Sequence, residues 1–206
     1  MPLRTLSAAF ALSTSLLVAG CSASDPAPTS PETSAAEQVE TTAPTIAELE
    51  AGLAQKVDTF EALFTTGTMG DAIDFLPPKL TTKLLETPDV TIAALKEGAQ
   101  TSWEESIETT PLESITFDLD AYDVTDASNG HFYKRIPTIV VLGNAENPNE
   151  ISEVKSDTLA IYDADAWHII RLNGEAHANF FKEVYPEYTD VEIDFPAEET
   201  RERGTE

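Results

Sequence analysis

A single cysteine, Cys21, occurs in 206 residues, so no disulfide can form within the chain and the fold has to be held by packing. Positive charge is also scarce: 12 Lys and Arg stand against 37 Asp and Glu, a net charge of -25 that argues against nucleic acid as a partner. No G-x-S-x-G elbow marks an acyl hydrolase, and no glycine-rich loop marks a phosphate cradle. The one stretch that approaches a membrane span, residues 8–19, is interrupted by Ser13, Thr14 and Ser15 and falls short of the about 20 apolar residues a bilayer needs. What is present is a hydrophobic share of 41%, enough for one core and more than a wholly disordered chain carries.

The interrupted stretch follows Arg4, which makes a basic start and a short apolar region, the pattern of an export signal. It ends in Leu17-Val18-Ala19-Gly20-Cys21, an aliphatic residue and small residues before the only cysteine. These residues resemble the lipobox of bacterial lipoproteins. The resemblance implies that residues 1–20 are a signal peptide removed by cleavage, that Cys21 receives a diacylglycerol, and that the new amino terminus is acylated. Several acyl chains hold firmly, since each buried methylene contributes about 0.8 kcal/mol while a single chain binds marginally. The implied location is the cell envelope; with Ser22 after the cysteine, it is the outer membrane facing the periplasm if the source is Gram-negative. The membrane is then a partner through the lipid on Cys21 alone, because so acidic a body is repelled by anionic headgroups.

Residues 21–44 carry the lipidated cysteine and a stretch of Ser, Thr, Pro, Ala and Glu whose only aliphatic residue larger than Ala is Val39. Such a segment cannot bury enough apolar surface to offset its ordering entropy, and reads as a disordered tether with a reach of roughly 25 Å. At the other end, residues 194–206 hold Phe195 as their only large apolar side chain, and read as an acidic disordered tail. The globular domain is expected over residues 45–193.

Thr45-Ile46-Ala47-Glu48 is a capping box, and Ile46, Leu49, Leu53, Val57, Phe60 and Phe64 recur at helical spacing until Gly67. A second helical piece runs through Ile73, Phe75 and Leu76, breaks at Pro77-Pro78 and resumes through Leu80, Leu84 and Leu85. A third begins near Thr91 and places Ile92, Leu95, Ala99 and Trp103 on one face. After Pro111 the period falls to two: Ile115, Phe117, Leu119 and Ala121 alternate with Thr116, Asp118, Asp120 and Tyr122 in a predicted strand. Asn129-Gly130 predicts a tight turn into a strand from His131 to Leu142, followed by strands over 154–162 and 167–172 and a short helix over 175–185.

Helices first and strands second predict an α+β fold, with N-terminal helices packed on a curved four-stranded antiparallel meander and a short C-terminal helix. This element order, across about residues 45 to 190, resembles the nuclear transport factor 2-like group, a cone-shaped fold shared with ketosteroid isomerase; no hairpin between the second and third helices matches the group's pattern. The near-continuous apolar run Ile136 to Leu142 predicts cover on both sheet faces. The final helix or a second copy of the chain would supply the second cover, and a homodimer is the preferred expectation.

Asp118, Asp120, His131 and Tyr133 are the residues best placed for acid–base chemistry, provided an apolar cavity raises a carboxylate's pKa. A solvated outer face on an acidic protein explains the same residues without chemistry. Asp118 to Asp126 fails as an EF-hand loop, and His168, Glu175 and His177 lack zinc-ligand spacing, so neither a metal nor a cofactor is expected. The expectation for function is therefore a membrane-anchored envelope lipoprotein with a non-catalytic domain that binds a protein or a small ligand between helices and sheet. The alternatives are a small isomerase or cyclase that uses the Asp/Tyr/His set, and a structural envelope spacer.

Overall fold

The computed structural model describes residues 44–128 and 130–204. The signal peptide, the lipobox with Cys21 and the tether lie outside the described residues, apart from Pro44, as does Asn129 of the hairpin turn. Helix α1, Ile46–Thr66, starts at the expected capping box: Thr45 Oγ1 accepts the Glu48 N–H at 3.3 Å, and Glu48 Oε2 accepts the Thr45 N–H at 2.8 Å. Its inner stripe buries Leu49, Leu53, Val57, Phe60, Leu63 and Phe64, each contributing about 1.5–3 kcal/mol by leaving water. It stops at Gly67, whose φ of 73° is left-handed and lets its N–H donate to Leu63 O at 2.9 Å.

Two tight 3-10 turns over Met69–Phe75 lead to α2, Pro78–Leu85, where Pro78 occupies the first turn and leaves no helical hydrogen bond unmade. Helix α3, Ile92–Thr109, is capped by Thr91 Oγ1, which accepts the Ala94 N–H at 3.1 Å. It is tied to the 3-10 segment: Gln100 accepts the Gly70 N–H at 3.0 Å and donates to Gly67 O at 2.8 Å, and Lys96 pairs with Asp71 and Asp74 at 3.2 and 2.6 Å. A side chain at position 70 would put its Cβ 2.8 Å from Lys96 O, so the approach requires glycine. No residue of α3 is buried.

The strands are β1 (Leu112–Phe117), β2 (Thr125–Ser128), β3 (His131–Gly143), β4 (Glu150–Asp163), β5 (Ala166–Arg171) and β6 (Ala197–Glu202), all paired antiparallel. They form one curled sheet, a half-barrel with path β1-β3-β4-β5; β2 also pairs with β3, and β6 also pairs with β4. The α+β class is as the element order predicts. Among the described residues no helix is long and apolar enough to cross a membrane.

Two strands correct the sequence reading. The predicted strand from Ile115 to Tyr122 ends at Phe117, because Asp118 Oδ1 accepts the Asp120 N–H at 3.1 Å and turns the chain; pairing with β3 resumes only at Thr125. The segment expected as a disordered tail returns to the sheet as β6, opposite residues 150–155 of β4. No burial holds β6, whose residues are all exposed. Backbone pairing on the open edge of β4 holds it, with Arg201 on Glu153 of β4 at 3.3 Å and, just past the strand end, Arg203 on Glu113 of β1.

The sheet is covered on both faces. On the first, α1 and the 3-10 segment pack against Ile136, Val140, Ala160, Trp167 and Ile169. On the second, helix α4 (Glu175–Val184) and the 3-10 turn Pro186–Tyr188 bring Ala178, Phe181, Tyr185 and Tyr188 onto Leu159, Ile161, Ile170 and Leu172. The final helix therefore supplies much of the second cover, and the apolar run is left open at Ile139, which is 38% exposed.

Candidate functional site

On the first sheet face α1 packs directly on β5 at one end, and the layers separate at the other. Where α1 meets β5, Trp167 is buried and its Nε1 donates to Leu49 O at 2.7 Å. Toward α3 the layers separate around a cavity of about 600 Å³, within the roughly 300–1,000 Å³ typical of small-molecule sites. Its floor is the sheet, through Leu112, Val140, Leu142, Val154 and Ile169. Its walls are Phe60 and Phe64 of α1, Met69 and Ile73 of the 3-10 segment, and Trp103 and Ile107 of α3. Of the apolar side chains of α3, Trp103 and Ile107 line this space.

Phe60 and Phe64 stack edge-on at 5.5 Å, and Phe64 meets Trp103 at 5.8 Å, which fixes the aromatic wall. Ser106, Thr110, Arg171 and Asn173 interrupt the apolar lining. Trp103 Nε1 is buried without a hydrogen-bond partner. Arg171, the last residue of β5, lines the cavity half-buried, and burial alone holds its guanidinium below its ordinary pKa.

Arg171 sits at a seam in the sheet. The outer edge of β4 pairs with β5 over residues 158–163 and with β6 over 150–155, which leaves Ser156 and Asp157 between them. Asn173, just after β5, and Pro196, just before β6, line the cavity at this seam. On the opposite face Asp157 is fully engaged: Arg135 Nε donates to its Oδ2 at 2.7 Å, the Asp194 N–H donates at 3.0 Å, and its own N–H donates to Asp194 O at 2.8 Å.

The four residues singled out for acid–base chemistry do not converge, and none lines this cavity. Asp118 and Asp120 are exposed in the turn after β1. The Asp118 N–H donates to Pro137 O, which lies six residues along β3 from His131, a separation of about 20 Å. His131 and Tyr133 do meet, on the second face, where both rings stand edge-on to Tyr188 at 6.2 and 6.1 Å. His131 Nδ1 lies 3.8 Å from Glu187 Oε1. His168 is half-buried with Nε2 3.1 Å from Asp163 O, and burial lowers its pKa; His177 is exposed. Among the described residues no three His, Cys, Asp or Glu side chains gather as metal ligands.

No known protein family, no curated protein and no solved structure matches the chain. The site therefore rests on its own geometry. The residue that sequence reasoning passed over is Arg171, and the signal for it was there: period two puts it on the same strand face as Trp167 and Ile169, a charge at an inward position. Trp103 was legible as a helix-face residue, but its unpartnered N–H was not.

Proposed function

We propose that this chain is a lipid-anchored envelope protein whose folded domain binds a small, largely apolar ligand between its helices and its sheet, without catalysing a reaction. The cavity under α3 is the observation that carries the reading. Its lining suits a hydrophobic guest, and no Asp, Glu or His is among its lining residues to serve as an acid–base group. The Leu17 to Cys21 lipobox supports the anchor and the envelope location. On this reading the helical layer over a curled antiparallel sheet is a variant of the nuclear transport factor 2-like cone, with its interior used for binding.

Uptake of a neutral apolar dye such as Nile red tests the binding. The full-length chain should take up one dye per molecule with a rise in fluorescence, and Ala72→Phe, which fills the cavity, should abolish uptake while keeping the unfolding midpoint. Absence of uptake, or uptake that Ala72→Phe leaves intact, contradicts the reading. The anchor is tested separately by mass spectrometry of the protein from its native host. A diacylglycerol on Cys21 at the new amino terminus is the expected result, and a bare thiol removes the envelope location.

A further inference from the structure

Four arginines stand among the described residues, and three have carboxylate partners: Arg135 with Asp157 and Asp194, Arg201 with Glu153, and Arg203 with Glu113. Arg171 has no ion pair among the described residues. Its hydrogen bond runs from Nη2 to Ser156 Oγ at 3.4 Å, long for such a contact. In a chain with 37 acidic residues, carboxylates are not in short supply. The neighbouring acid on β4, Asp157, belongs to the other sheet face and is occupied there by Arg135 and the Asp194 N–H.

A guanidinium stays charged at any physiological pH, and a charge set in an apolar wall is costly unless an anion accompanies it. The lining residue Trp103 carries a second donor without an acceptor, its Nε1, which is buried behind the cavity wall. The lining thus sets a guanidinium without a carboxylate amid hydrocarbon and aromatic surface, the complement of a molecule with an anionic end and an apolar body. The position of Arg171 orders such a guest. It lies at the seam beside the exposed Asn173, so a head there keeps contact with water, while the body points toward Phe60 and Phe64.

We propose that the cavity binds an amphiphile with a single anionic head, carboxylate or phosphate, paired with Arg171, and a hydrocarbon body lying against Phe64, Ile107 and Leu142. This rests on the ligand-binding reading above and adds the chemical class of the ligand. Arg presents a planar fork of donors that matches the oxygens of either head bidentately, which a lysine cannot do.

Calorimetric titration of the full-length chain with dodecanoate and dodecyl phosphate below their micellar concentrations, and with dodecanol below its solubility limit, tests the proposal. One or both anions should bind at least about 10-fold tighter than the alcohol, as expected for a charge-assisted hydrogen bond. In Arg171→Met that preference should vanish while alcohol binding stays within about threefold, and Arg171→Lys should restore it in part. The anion that leads identifies the head, fatty carboxylate or phosphate. Should Arg171→Met not fold, a weakened anion preference in Arg171→Lys carries the same test. An alcohol that binds as tightly as both anions, or an anion preference that survives Arg171→Met, overturns the head assignment and leaves the cavity reading standing. Failure of all three probes to bind removes both.

Discussion

The two faces of the sheet solve the same packing problem in opposite ways. On the second face α4 and the turn after it leave Phe181, Tyr185 and Tyr188 with no accessible surface, Tyr185 Oη donates to Asp163 Oδ2 at 2.7 Å, and Arg135 is matched by Asp157. On the first face Trp167 is buried beside a smaller groove, and the end under α3 keeps a cavity of about 600 Å³, an orphan indole N–H and an unpaired guanidinium. A chain able to pair Arg135 so fully on one side of the seam could have paired or replaced Arg171 on the other. The contrast separates a face whose charges and aromatic side chains are matched from one that keeps open space and unmatched donors.

The comparison breaks first on truncation. Phe181→Ala on the closed face should cost about 3–5 kcal/mol, whereas Ile107→Ala, beside an existing void, should cost about 1 kcal/mol or less because few atoms lose contact. Urea unfolding of both variants measures the gap, and equal losses would erase the distinction between the faces. Next comes the paired charge. Asp157→Asn leaves Arg135 without its buried partner and should cost about 3 kcal/mol, read from the same unfolding curves.

Alkali sharpens the comparison more gently. Burial, then the hydrogen bond to Asp163, raises the Tyr185 pKa well above the ordinary value; burial, then the Glu187 charge, raises that of Tyr188. Unfolded tyrosines lose their protons near pH 10 while these two keep theirs, so above that pH the unfolded state binds fewer protons and stability falls as pH rises. Each contributes a decline that sets in at about pH 10, approaches about 1.4 kcal/mol per pH unit above it, and is absent well below it. A Tyr185→Phe/Tyr188→Phe variant should show a flatter alkaline limb in thermal unfolding followed from pH 9 to 11.

Much of this architecture was legible in local signals. The Thr45 capping box and the stripe from Leu49 to Phe64 fix α1, since cap and period agree, and the switch to period two after Pro111 marks the sheet. What the sequence hid depends on contacts between distant segments. Leu119 and Ala121 continue the alternation of β1, but a side-chain bond at Asp118 decides the turn. The last acidic segment looks solvated because its pairing with β4 needs no buried side chain, only an edge that β5 leaves free. The cavity was the least legible part: the stripe through Trp103 predicts a buried helix face, and only the three-dimensional spacing of α3 from the sheet leaves open space at Trp103 and Ile107.

The most direct test compares two arginines. Urea unfolding of Arg171→Met and Arg135→Met, without ligand, reads what each charge contributes to the folded state. If the hollow face is built for a guest, Arg171→Met holds or gains stability because an unmatched charge leaves an apolar wall, while Arg135→Met loses about 3 kcal/mol. Equal destabilisation by both substitutions would show that Arg171 serves the fold as Arg135 does, and would contradict the account.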